Sequence, residues 1–400
     1  MKRINDVDVK GKTIAIRIDI NLPMEKGEIK LNKRILEHAK TLKELSEKGA
    51  RIVVLGHQGK KGKEDFISLR KHAKILEKLL GKEVKFSDLK DWESTNNEIL
   101  NLKNGEILVL ENVRFFEEET EHPFDAKFII KLSVPCDYFV LDALSVAHRE
   151  HASVVGLTKK LKSFMGNVLE REINALKKLH GEEKVTFIVG GSKLKDSIKI
   201  IKYWLENGKV DKLLIGGAPA ILFLKAKLGS GIGEENEKYL KSIDADLYFE
   251  DVKKMLEKYE RYLEIPNDAI LDVDGRRVEF EIGSSKGSVK TEFPGAIRDI
   301  GPKTIEKYRR IIMDAKVIVM NGPMGMYEKE EFETGTRRIL EAIANSKGYS
   351  LIGGGHTSAA VEKFGIREDN FSYISLSGKA FLEYLSGKEL PGLVGLGLED

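Results

Sequence analysis

The sequence predicts an α/β protein with two doubly wound, Rossmann-like domains, each a parallel sheet covered by helices, joined by a helix and a hinge. Short apolar runs rich in Ile and Val recur along the chain, and amphipathic segments with helical period separate them, which is the pattern of parallel sheets. The length of 400 residues exceeds what a single core usually holds. Two domains of similar architecture are therefore expected.

The apolar runs that we predict to be strands fall in both halves of the chain. They are TIAIRI (13–18), RIVVLG (51–56), EILVLE (106–111), DYFVLD (137–142), VTFIVG (185–190), KLLIG (212–216), KVIVM (316–320) and YSLIG (from Tyr349). Residues 167–181 have apolar positions at helical spacing, with Asn167 as a cap and Gly181 as a stop. We interpret this segment as an interdomain helix.

The predicted domain division follows from that helix. The first domain covers 1–166, the interdomain helix 167–181 and the second domain 182–380; for the carboxyl-terminal segment 381–400, a return to the first domain is one option. Residues 229–260 carry no motif that indicates a function, and their pattern indicates helices that serve packing.

Composition narrows the function classes. The formal net charge is only +3 although 33% of the residues are charged, so nucleic acid and membrane surfaces are poor candidate partners. The amino terminus MKRINDVDVK lacks the apolar stretch of a signal peptide, and the single cysteine, Cys136, excludes an internal disulfide and a cysteine-rich metal site. We expect a cytoplasmic protein that binds small molecules and is a monomer or a small homo-oligomer.

In the first half, polar and basic residues close or follow the strands, in RIDINLP, GHQGKKG, ENVRFF and DALSVAHREH. Ligands of open parallel sheets bind outside the carboxyl ends of the strands, and arginine grips carboxylate or phosphate with two hydrogen bonds. A single arginine there is often only an ion-pair partner, but the repetition favours an anion site. The basic candidates are Arg17, Arg34, His57, Lys60, Arg114 and Arg149. Asp19 and Asn21 would accept from ligand hydroxyls or orient the arginines, unless they only form a turn before Pro23.

In the second half, glycines follow the strands instead, in GGSKLKD, IGGAPA, MNGPMG and IGGGHTS. Glycines let backbone N–H groups approach an anion, and a following helix adds the partial positive charge of its amino terminus, although glycine also serves ordinary turns. Neither a P-loop motif nor a dinucleotide GxGxxG after the first strand occurs. The pattern favours a nucleotide phosphate site of another kind.

Long motifs in a fixed order identify a family. They are RIDINLP, NKRI, VVLGHQGK, LENVRF, DALSVAHREHAS, GGSKLKDS, IGGAPA, DIGPKT, MNGPMGMYEKEEFETGT and LIGGGHTSAA. Along nearly its whole length the chain resembles phosphoglycerate kinase, most of all its archaeal branch. The resemblance implies a two-domain hinge enzyme, a phosphotransferase with a carboxyl acceptor, that moves a phosphoryl group between 1,3-bisphosphoglycerate and ADP. Magnesium would be carried on the nucleotide.

The resemblance also implies the site residues. Those of the 3-phosphoglycerate site are Asp19, Ile20, Asn21, Arg34, His57, Gln58, Gly59, Lys60, Arg114 and Arg149. Those of the nucleotide site are Gly191, Lys193, Gly216, Gly217, Asn321, Gly325, Glu328, Gly353, Gly354, Gly355, His356 and Thr357. Arg34 and Lys193 are expected to act in catalysis, and no protein ligand to the metal is assigned.

Some positions depart from the motifs common in bacteria and eukaryotes. Lys60 replaces an arginine, and Ser197 stands where that version has a lysine, so we hypothesise that Lys379 or Lys195 compensates. His356 replaces an aspartate that helps to hold magnesium, and imidazole is a poor ligand for that hard cation. We expect His356 to donate to a nucleotide phosphate or to cap the following helix; the alternative is a purely local hydrogen bond.

Two other functions fit the pattern less well. A nicotinamide-dependent dehydrogenase would have glycines after the first strand and an acidic residue after the second, whereas this chain has Asp19 after the first and Gly56-His57 after the second. A non-catalytic binding protein with a hinge would also have two clefts. The glycine loops of nucleotide type count against it.

Overall fold

The computed structural model of the chain describes residues 2–89, 91–229, 231–283 and 293–397. It divides the chain into unit 1, Met1–Asn174 with Glu389–Asp400, and unit 2, Ala175–Lys388. In the described residues each unit contains a six-stranded parallel sheet with helices around it, which confirms the predicted fold class. Two of the predicted segments contain residues outside the described ones. Ser230 belongs to the segment 229–260, and residues 398–400 belong to the carboxyl-terminal segment 381–400.

The sheet of unit 1 has the order β5-β6-β4-β1-β7-β8, and β2 and β3 form a separate hairpin. The strands are β1 (Thr13–Arg17), β2 (Met24–Glu25), β3 (Glu28–Ile29), β4 (Arg51–Leu55), β5 (Lys85–Ser87), β6 (Ile107–Leu110), β7 (Tyr138–Leu141) and β8 (Lys162–Met165). Strand β1 is central, with Ile16 paired to Val54 on one side and to Val140 on the other. The loops after β1 and β7 thus lie at a topological switch point, where open sheets bind ligands.

The helices of unit 1 cover this sheet. They are Lys33–Glu47, Arg70–Leu80, Trp92–Leu100, Glu118–Glu121, Lys127–Ser133, Leu144–Ala147 and Pro391–Gly395. Asn32 caps the first of them, because its side chain accepts from the N–H of Ile35 at 3.2 Å. The core between sheet and helices is aliphatic, with Ile14, Ile16 and Leu42 fully buried.

The large sheet of unit 2 has the order β11-β10-β9-β15-β16-β17, and β12, β13 and β14 form a smaller antiparallel sheet. The strands are β9 (Val185–Val189), β10 (Val210–Ile215), β11 (Leu263–Glu264), β12 (Asp268–Val273), β13 (Arg276–Glu281), β14 (Ala296–Ile300), β15 (Val317–Asn321), β16 (Tyr349–Gly353) and β17 (Tyr373–Ile374). All the strands predicted from apolar runs are therefore confirmed. The loops after the neighbouring strands β9 and β15 meet at the switch point of this unit.

The small sheet of unit 2 was missed at the level of sequence. Its signal is the Asp274-Gly275 pair between β12 and β13, where φ is 48° and 79°. Two consecutive positive φ values are typical of the tight hairpin turn that Asp-Gly favours. This dipeptide between the runs DAILDV and RRVEFE predicts a hairpin.

Two of the helices of unit 2 lie within residues 229–260, the segment that carries no motif indicating a function. The helices of unit 2 are Leu194–Glu206, Gly217–Leu228, Glu234–Ser242, Phe249–Tyr259, Pro302–Asp314, Thr334–Asn345, Gly355–Lys363 and Lys379–Leu385. Glu234–Ser242 and Phe249–Tyr259 confirm the helices predicted for residues 229–260. Across the described ranges, no helix has both the length and the apolar character needed to cross a membrane.

The predicted interdomain helix begins at Asn167; its α-helical part ends at Lys177, and a 3₁₀ turn, Lys178–His180, continues it to the predicted stop at Gly181. The division between the units falls inside it, after Asn174. The cap predicted at Asn167 is wrong, because its side chain donates to Glu44 Oε2 at 2.6 Å and accepts from Asn5 Nδ2 at 2.8 Å. Asn167 thus fixes the start of the helix to the rest of unit 1.

Candidate active site

Asp19 is the centre of the polar cluster at the end of β1. Its buried carboxylate lies 2.8 Å from Arg34 Nη1 and accepts from Ser145 Oγ at 2.5 Å and from the N–H of Asn21 at 3.0 Å. Burial alone would raise the pKa of Asp19, but Arg34 and the hydrogen bonds outweigh it and hold that pKa below its ordinary value. Asp19 is therefore ionised, and it orients Arg34.

His57 lies beside this cluster with only 2% of its surface exposed. Its Nδ1 lies 2.8 Å from Arg17 Nη2, and because a guanidinium can only donate, Nδ1 accepts and Nε2 carries the proton. Burial, together with the charge of Arg17, holds the pKa of His57 well below its ordinary value. The imidazole is neutral, and its buried Nε2–H has no hydrogen-bond partner among the residues that the structure describes.

Arg17 corrects one sequence-based expectation. It was grouped with the cations that face the ligand, yet its guanidinium is fully buried and donates to protein groups: Ser153 Oγ at 2.9 Å, the carbonyl of Ile18, and His57. The carboxylate of Glu119 is buried nearby, where it accepts from Ser153 Oγ at 2.6 Å and from the N–H of Ser153 at 2.8 Å. Burial lowers the pKa of Arg17, and the negative charge of Glu119 opposes that shift. Arg17 thus holds His57 in place.

Neither Glu119 nor Ser153 was singled out from the sequence. Glu119 stands in the acidic run FEEETE, where nothing distinguishes a buried glutamate from its exposed neighbours. Ser153 was part of a quoted motif, but its role depends on Arg17, which is 136 positions away. Only the tertiary structure brings these partners together.

Gly59 shapes the loop after β4. Its φ is 69°, and a Cβ would lie 2.3 Å from the carbonyl oxygen of Asp65, so only glycine fits. Its N–H donates to Asn21 Oδ1 at 2.9 Å, and its carbonyl accepts from the guanidinium of Arg114. The structure therefore brings Asn21, Gly59 and Arg114 together, with Lys60 exposed next to them.

Two of the predicted substrate residues direct their side chains into the protein. Ile20 is fully buried, and the buried amide of Gln58 accepts from the N–H of Leu22 at 2.8 Å and donates to its carbonyl at 3.0 Å. Their side chains hold the loop after β1 in shape. Arg149 is half-buried; burial lowers its pKa, and the negative charge of Asp19 opposes that shift.

The glycines of unit 2 serve a different purpose from the one expected. The N–H groups of Gly191, Gly216 and Gly217 donate to the carbonyls of Pro323, Val189 and Met324 at 2.7 to 2.8 Å. These N–H groups are engaged within the protein, so they do not point at a phosphate here; that Gly191, Gly216 and Gly217 belong to the nucleotide site stays a prediction. The glycines instead let the loops pack backbone against backbone.

The loop after β16 is the exception. Gly354, with φ of 89°, precedes the helix Gly355–Lys363, and a Cβ on Gly355 would meet no atom within 4 Å. The first-turn N–H groups of a helix have no intrahelical acceptor, so Gly355, His356 and Thr357 present donors at a positive helix end. Thr357 Oγ1 accepts from the N–H of Gly322 at 2.8 Å, which ties this loop to the one after β15.

His356 lies in the first turn of that helix and does not cap it, because the cap residue is Gly354 and no side chain caps the helix. The capping alternative is therefore wrong. The imidazole of His356 is exposed, and its Nδ1 lies 3.9 Å from Glu328 Oε1. His356 and Glu328 together form one edge of the cavity described next.

A cavity of about 590 Å³ opens between these loops within unit 2. Gly191, Gly217 and Gly325 line it from the loops, and β14 of the small sheet supplies a wall that includes Asp299. Its apolar surface comes from Ala218, Ile221, Leu224, Pro266, Ala269, Ile297 and Met324. A cavity lined by both apolar and polar side chains suits a flat heterocycle that carries an anionic group.

The remaining predicted residues surround this region. Lys193 is exposed immediately before the helix Leu194–Glu206, whereas Ser197 on that helix is buried and donates to the carbonyl of Gly190 at 3.3 Å. Lys379 is exposed and pairs with Glu383 of its own helix at 3.4 Å. Asn321 and Gly353 end β15 and β16, and a Cβ on Gly353 would overlap the ring of Phe381.

Comparison with known proteins assigns the family. The model of the phosphoglycerate kinase family matches residues 4–388. The phosphoglycerate kinase of Methanococcus maripaludis is 40% identical over 97% of this chain and 96% of its own length, and that of Pyrococcus abyssi is 39% identical over 99% and 97%.

Solved structures agree with that assignment. The crystal structure of phosphoglycerate kinase from Pyrococcus horikoshii OT3 matches with a TM-score of 0.85 and 36% identity, and the structure of phosphoglycerate kinase from Coxiella burnetii with 0.82 and 32%, each over 99% of this chain and 98% of its own. As the motifs implied, the chain belongs to the phosphoglycerate kinase family.

Proposed function

We propose that the chain transfers a phosphoryl group reversibly from 1,3-bisphosphoglycerate to ADP, giving 3-phosphoglycerate and ATP, with the phosphoglycerate bound in unit 1 and the nucleotide in unit 2. The observation that carries the assignment of unit 1 is the buried Nε2–H of His57, which finds no partner in the described part of the chain and belongs to the cluster of Asp19 and Arg34. A buried donor without a partner is costly unless a ligand satisfies it. Its position at the switch point of the sheet supports a binding site.

The groups around Asp19 suit a small ligand with phosphate, hydroxyl and carboxylate groups. Arg34, Arg114 and Arg149 supply positive charge, and arginine can bind phosphate or carboxylate with two parallel hydrogen bonds. Asp19 and Asn21 supply acceptors for a hydroxyl group. The neutral His57 adds a donor without adding charge.

The nucleotide side depends on the helix that begins at Gly355. Its first-turn N–H groups and its positive end suit the phosphates of ADP or ATP, and Lys193 adds a mobile cation near the neighbouring helix. Glu328 offers acceptors for ribose hydroxyls, and the apolar wall of the cavity suits the base.

Magnesium fits this arrangement as a companion of the nucleotide. Among the described residues, no group of three or more His, Cys, Asp or Glu side chains could hold a metal ion, but Mg²⁺ is usually bound through substrate phosphates, water and one or two carboxylates. Glu235, Asp299 and Glu328 are carboxylates in the cavity lining, and we assign none of them to the metal. When bound, the ion would neutralise charge on the phosphates.

The chemistry requires no proton transfer to a protein base. In the ATP-consuming direction the acceptor is the carboxylate of 3-phosphoglycerate, which is ionised near neutral pH. Catalysis therefore depends on alignment and on positive charge around the moving phosphoryl group. Arg34, held by Asp19 and partly exposed, is our choice for the side chain that contacts the reacting groups.

Transfer also requires the two substrates to meet. Because the proposed sites belong to different units, the units must close around both ligands, and closure excludes water from the phosphoryl group. We further infer a cytoplasmic enzyme, since the lone Cys136 is buried and suits a reducing compartment. A monomer or a small homo-oligomer remains our expectation.

The test is turnover of 3-phosphoglycerate with ATP and magnesium in a coupled assay. We expect Arg34→Ala to lower turnover by roughly a hundredfold or more, whereas Arg338→Ala, which removes an exposed arginine paired with Glu341, retains it. His356→Asp should remain active, because an aspartate at this position can also take part in nucleotide binding at the cavity edge that His356 and Glu328 form. A wild-type protein without turnover with any purine nucleotide would refute the proposal and favour a binding protein.

A further inference from the structure

Two buried residues behind Asp19 have no role in the sites described above. His38, on the helix Lys33–Glu47, is 1% exposed, and Asp142, directly after β7, is fully buried. His38 Nε2 accepts from the backbone N–H of Asp19 at 3.2 Å, and its Nδ1 lies 2.8 Å from Asp142 Oδ2. One imidazole therefore bridges the Asp19 backbone and a buried carboxylate.

The contacts determine the tautomer of His38. Because Nε2 accepts, the proton is on Nδ1 and is donated to Asp142. The ring is thus fixed by a donor at one end and an acceptor at the other, as in carboxylate–histidine pairs that orient ligands elsewhere. The position of the His38 ring is therefore coupled to that of the Asp19 backbone.

The second oxygen of Asp142 extends the connection to the interdomain helix. Asp142 Oδ1 accepts from the N–H of Val168 at 2.9 Å, in the first turn of the helix Asn167–Lys177. A carboxylate at a helix amino terminus is favoured by the helix dipole. A Cβ on Gly166 would lie 2.1 Å from Asp142 Oδ1, so glycine is required for the chain to pass this close.

We propose that His38 and Asp142 are positioning residues that couple the phosphoglycerate site to the helix leading out of unit 1. The inference rests on the proposed function, because it takes Asp19 to contact the phosphoglycerate. The path consists of three hydrogen bonds between buried groups: Asp19 to His38, His38 to Asp142, and Asp142 to Val168. Buried polar networks with all partners satisfied are rigid, so a displacement at one end is transmitted to the other.

Coupling of this kind is reciprocal. If a ligand on the Asp19 loop favours one position of the helix, then that position of the helix strengthens binding of the ligand by the same factor. His38 itself need not touch the substrate. Breaking the path should weaken phosphoglycerate binding and uncouple it from closure, without affecting the nucleotide site of unit 2.

The variants follow from the geometry. His38→Leu keeps an apolar volume and removes both hydrogen bonds, whereas His38→Gln can still accept from Asp19 and donate to Asp142. Thr41→Val is the matched control, because Thr41 is fully buried on the same helix and its hydroxyl finds no hydrogen-bond partner among the described residues.

A second pair tests the other end of the path, in case His38→Leu does not fold. Val168→Pro removes the N–H that donates to Asp142 at a place in the first turn where proline is tolerated. Val168→Ala keeps that N–H and serves as its control. Both pairs are made in the full chain.

The measurements are the Kd of 3-phosphoglycerate and of ATP by calorimetry, kcat and KM in the coupled assay, and the change in radius of gyration when both substrates are added. We expect His38→Leu and Val168→Pro to raise the Kd and KM for 3-phosphoglycerate roughly tenfold and to reduce the contraction. The Kd of ATP should stay unchanged, and His38→Gln, Thr41→Val and Val168→Ala should resemble the wild type.

The possible failures are distinguishable. A folded His38→Leu with wild-type KM and contraction would overturn the coupling, and so would equal losses in His38→Gln and His38→Leu, because the donor and acceptor would then be irrelevant. Wild-type protein that neither binds nor converts 3-phosphoglycerate would overturn the proposed function and the coupling with it.

Discussion

Two buried aspartates show how neighbours decide the properties of a side chain. Asp19 has a charged partner in Arg34 at 2.8 Å, and its pKa is held below the ordinary value. Asp299, in the wall of the unit 2 cavity, accepts from the N–H groups of Gly335 at 2.6 Å and Ile300 at 2.9 Å. Burial there outweighs these bonds and raises the pKa of Asp299 to about 7.

This raised pKa predicts a pH dependence of stability. Between about pH 4, where the unfolded carboxyl titrates, and about pH 7, where the folded one does, the folded state binds more protons than the unfolded state. The contribution of Asp299 is therefore complete below pH 4 and falls as pH rises to 7, by a total on the order of 4 kcal/mol. We expect the free energy of unfolding of Asp299→Asn to change less with pH in this range than that of the wild type.

The measurement is urea unfolding of unit 2 at pH 4.5, 6 and 8, followed by the fluorescence of the buried Trp204 in a Trp92→Phe background. Asp211→Asn, at an exposed aspartate, is the control and should retain the wild-type slope. Equal slopes for wild type and Asp299→Asn would contradict the assigned pKa.

At the level of elements, the backbones of the loops after β9 and β15 approach each other so closely that the glycines between them could not carry side chains. A Cβ on Gly190 would lie 2.1 Å from the carbonyl oxygen of Pro323, and one on Gly322 would lie 2.4 Å from that of Gly190. The N–H of Gly190 also donates to the carbonyl of Asn321 at 2.9 Å. This contact fixes the spacing of the strand ends that border the cavity of unit 2.

Gly322→Ala should therefore disrupt unit 2. Its φ of 88° opposes any Cβ, which costs about 1 kcal/mol, and the overlap with Gly190 adds to that. Gly208→Ala is the matched control, because Gly208 has a φ of 66° but nothing within 4 Å of a Cβ.

We expect the Gly322 variant to lose markedly more stability than the Gly208 variant and to bind ATP more weakly, while 3-phosphoglycerate affinity in unit 1 persists. Thermal unfolding and calorimetry measure both quantities. If the two variants behave alike, the close approach of the loops is unimportant.

At the level of the whole molecule, the chain leaves unit 1 and comes back to it. Glu389–Asp400 is assigned to unit 1, although it follows all of unit 2 in sequence. A Cβ on Gly392 of the helix Pro391–Gly395 would lie 2.9 Å from Ala147 Cα, on the short helix that also carries Ser145. The carboxyl-terminal segment thus packs behind residues of the proposed phosphoglycerate site.

Neighbouring residues of that segment test its contribution. Leu393 is 6% exposed and Val394 is 50% exposed, so Leu393→Ala should destabilise unit 1 by about 2 to 4 kcal/mol, whereas Val394→Ala should have little effect. Hydrogen exchange measured by mass spectrometry distinguishes the units, and faster exchange is expected in peptides of unit 1 only. Uniform acceleration in both units would contradict a local role.

The sequence by itself determined the elements and the chemical character of their ends. Apolar runs and helical spacing depend on local residue order, so the strands of both large sheets could be predicted, as could the contrast between basic strand ends in one half and glycine-rich ends in the other. Motif order then identified the family. The Asp274-Gly275 hairpin also depends on local residue order, but it is not among the predicted elements.

Only the tertiary structure decided which polar groups face a ligand and which face the protein. Arg17 turns inward to Ser153 and His57, the N–H groups of Gly191 and Gly217 are held by neighbouring loops, and His38 joins Asp19 to Asp142. Local sequence could not reveal these pairings, because the partners are separated by tens of residues or more and meet only when the strands are arranged in their sheets. Burial and hydrogen-bond satisfaction are properties of that arrangement, and they determine each side chain's role.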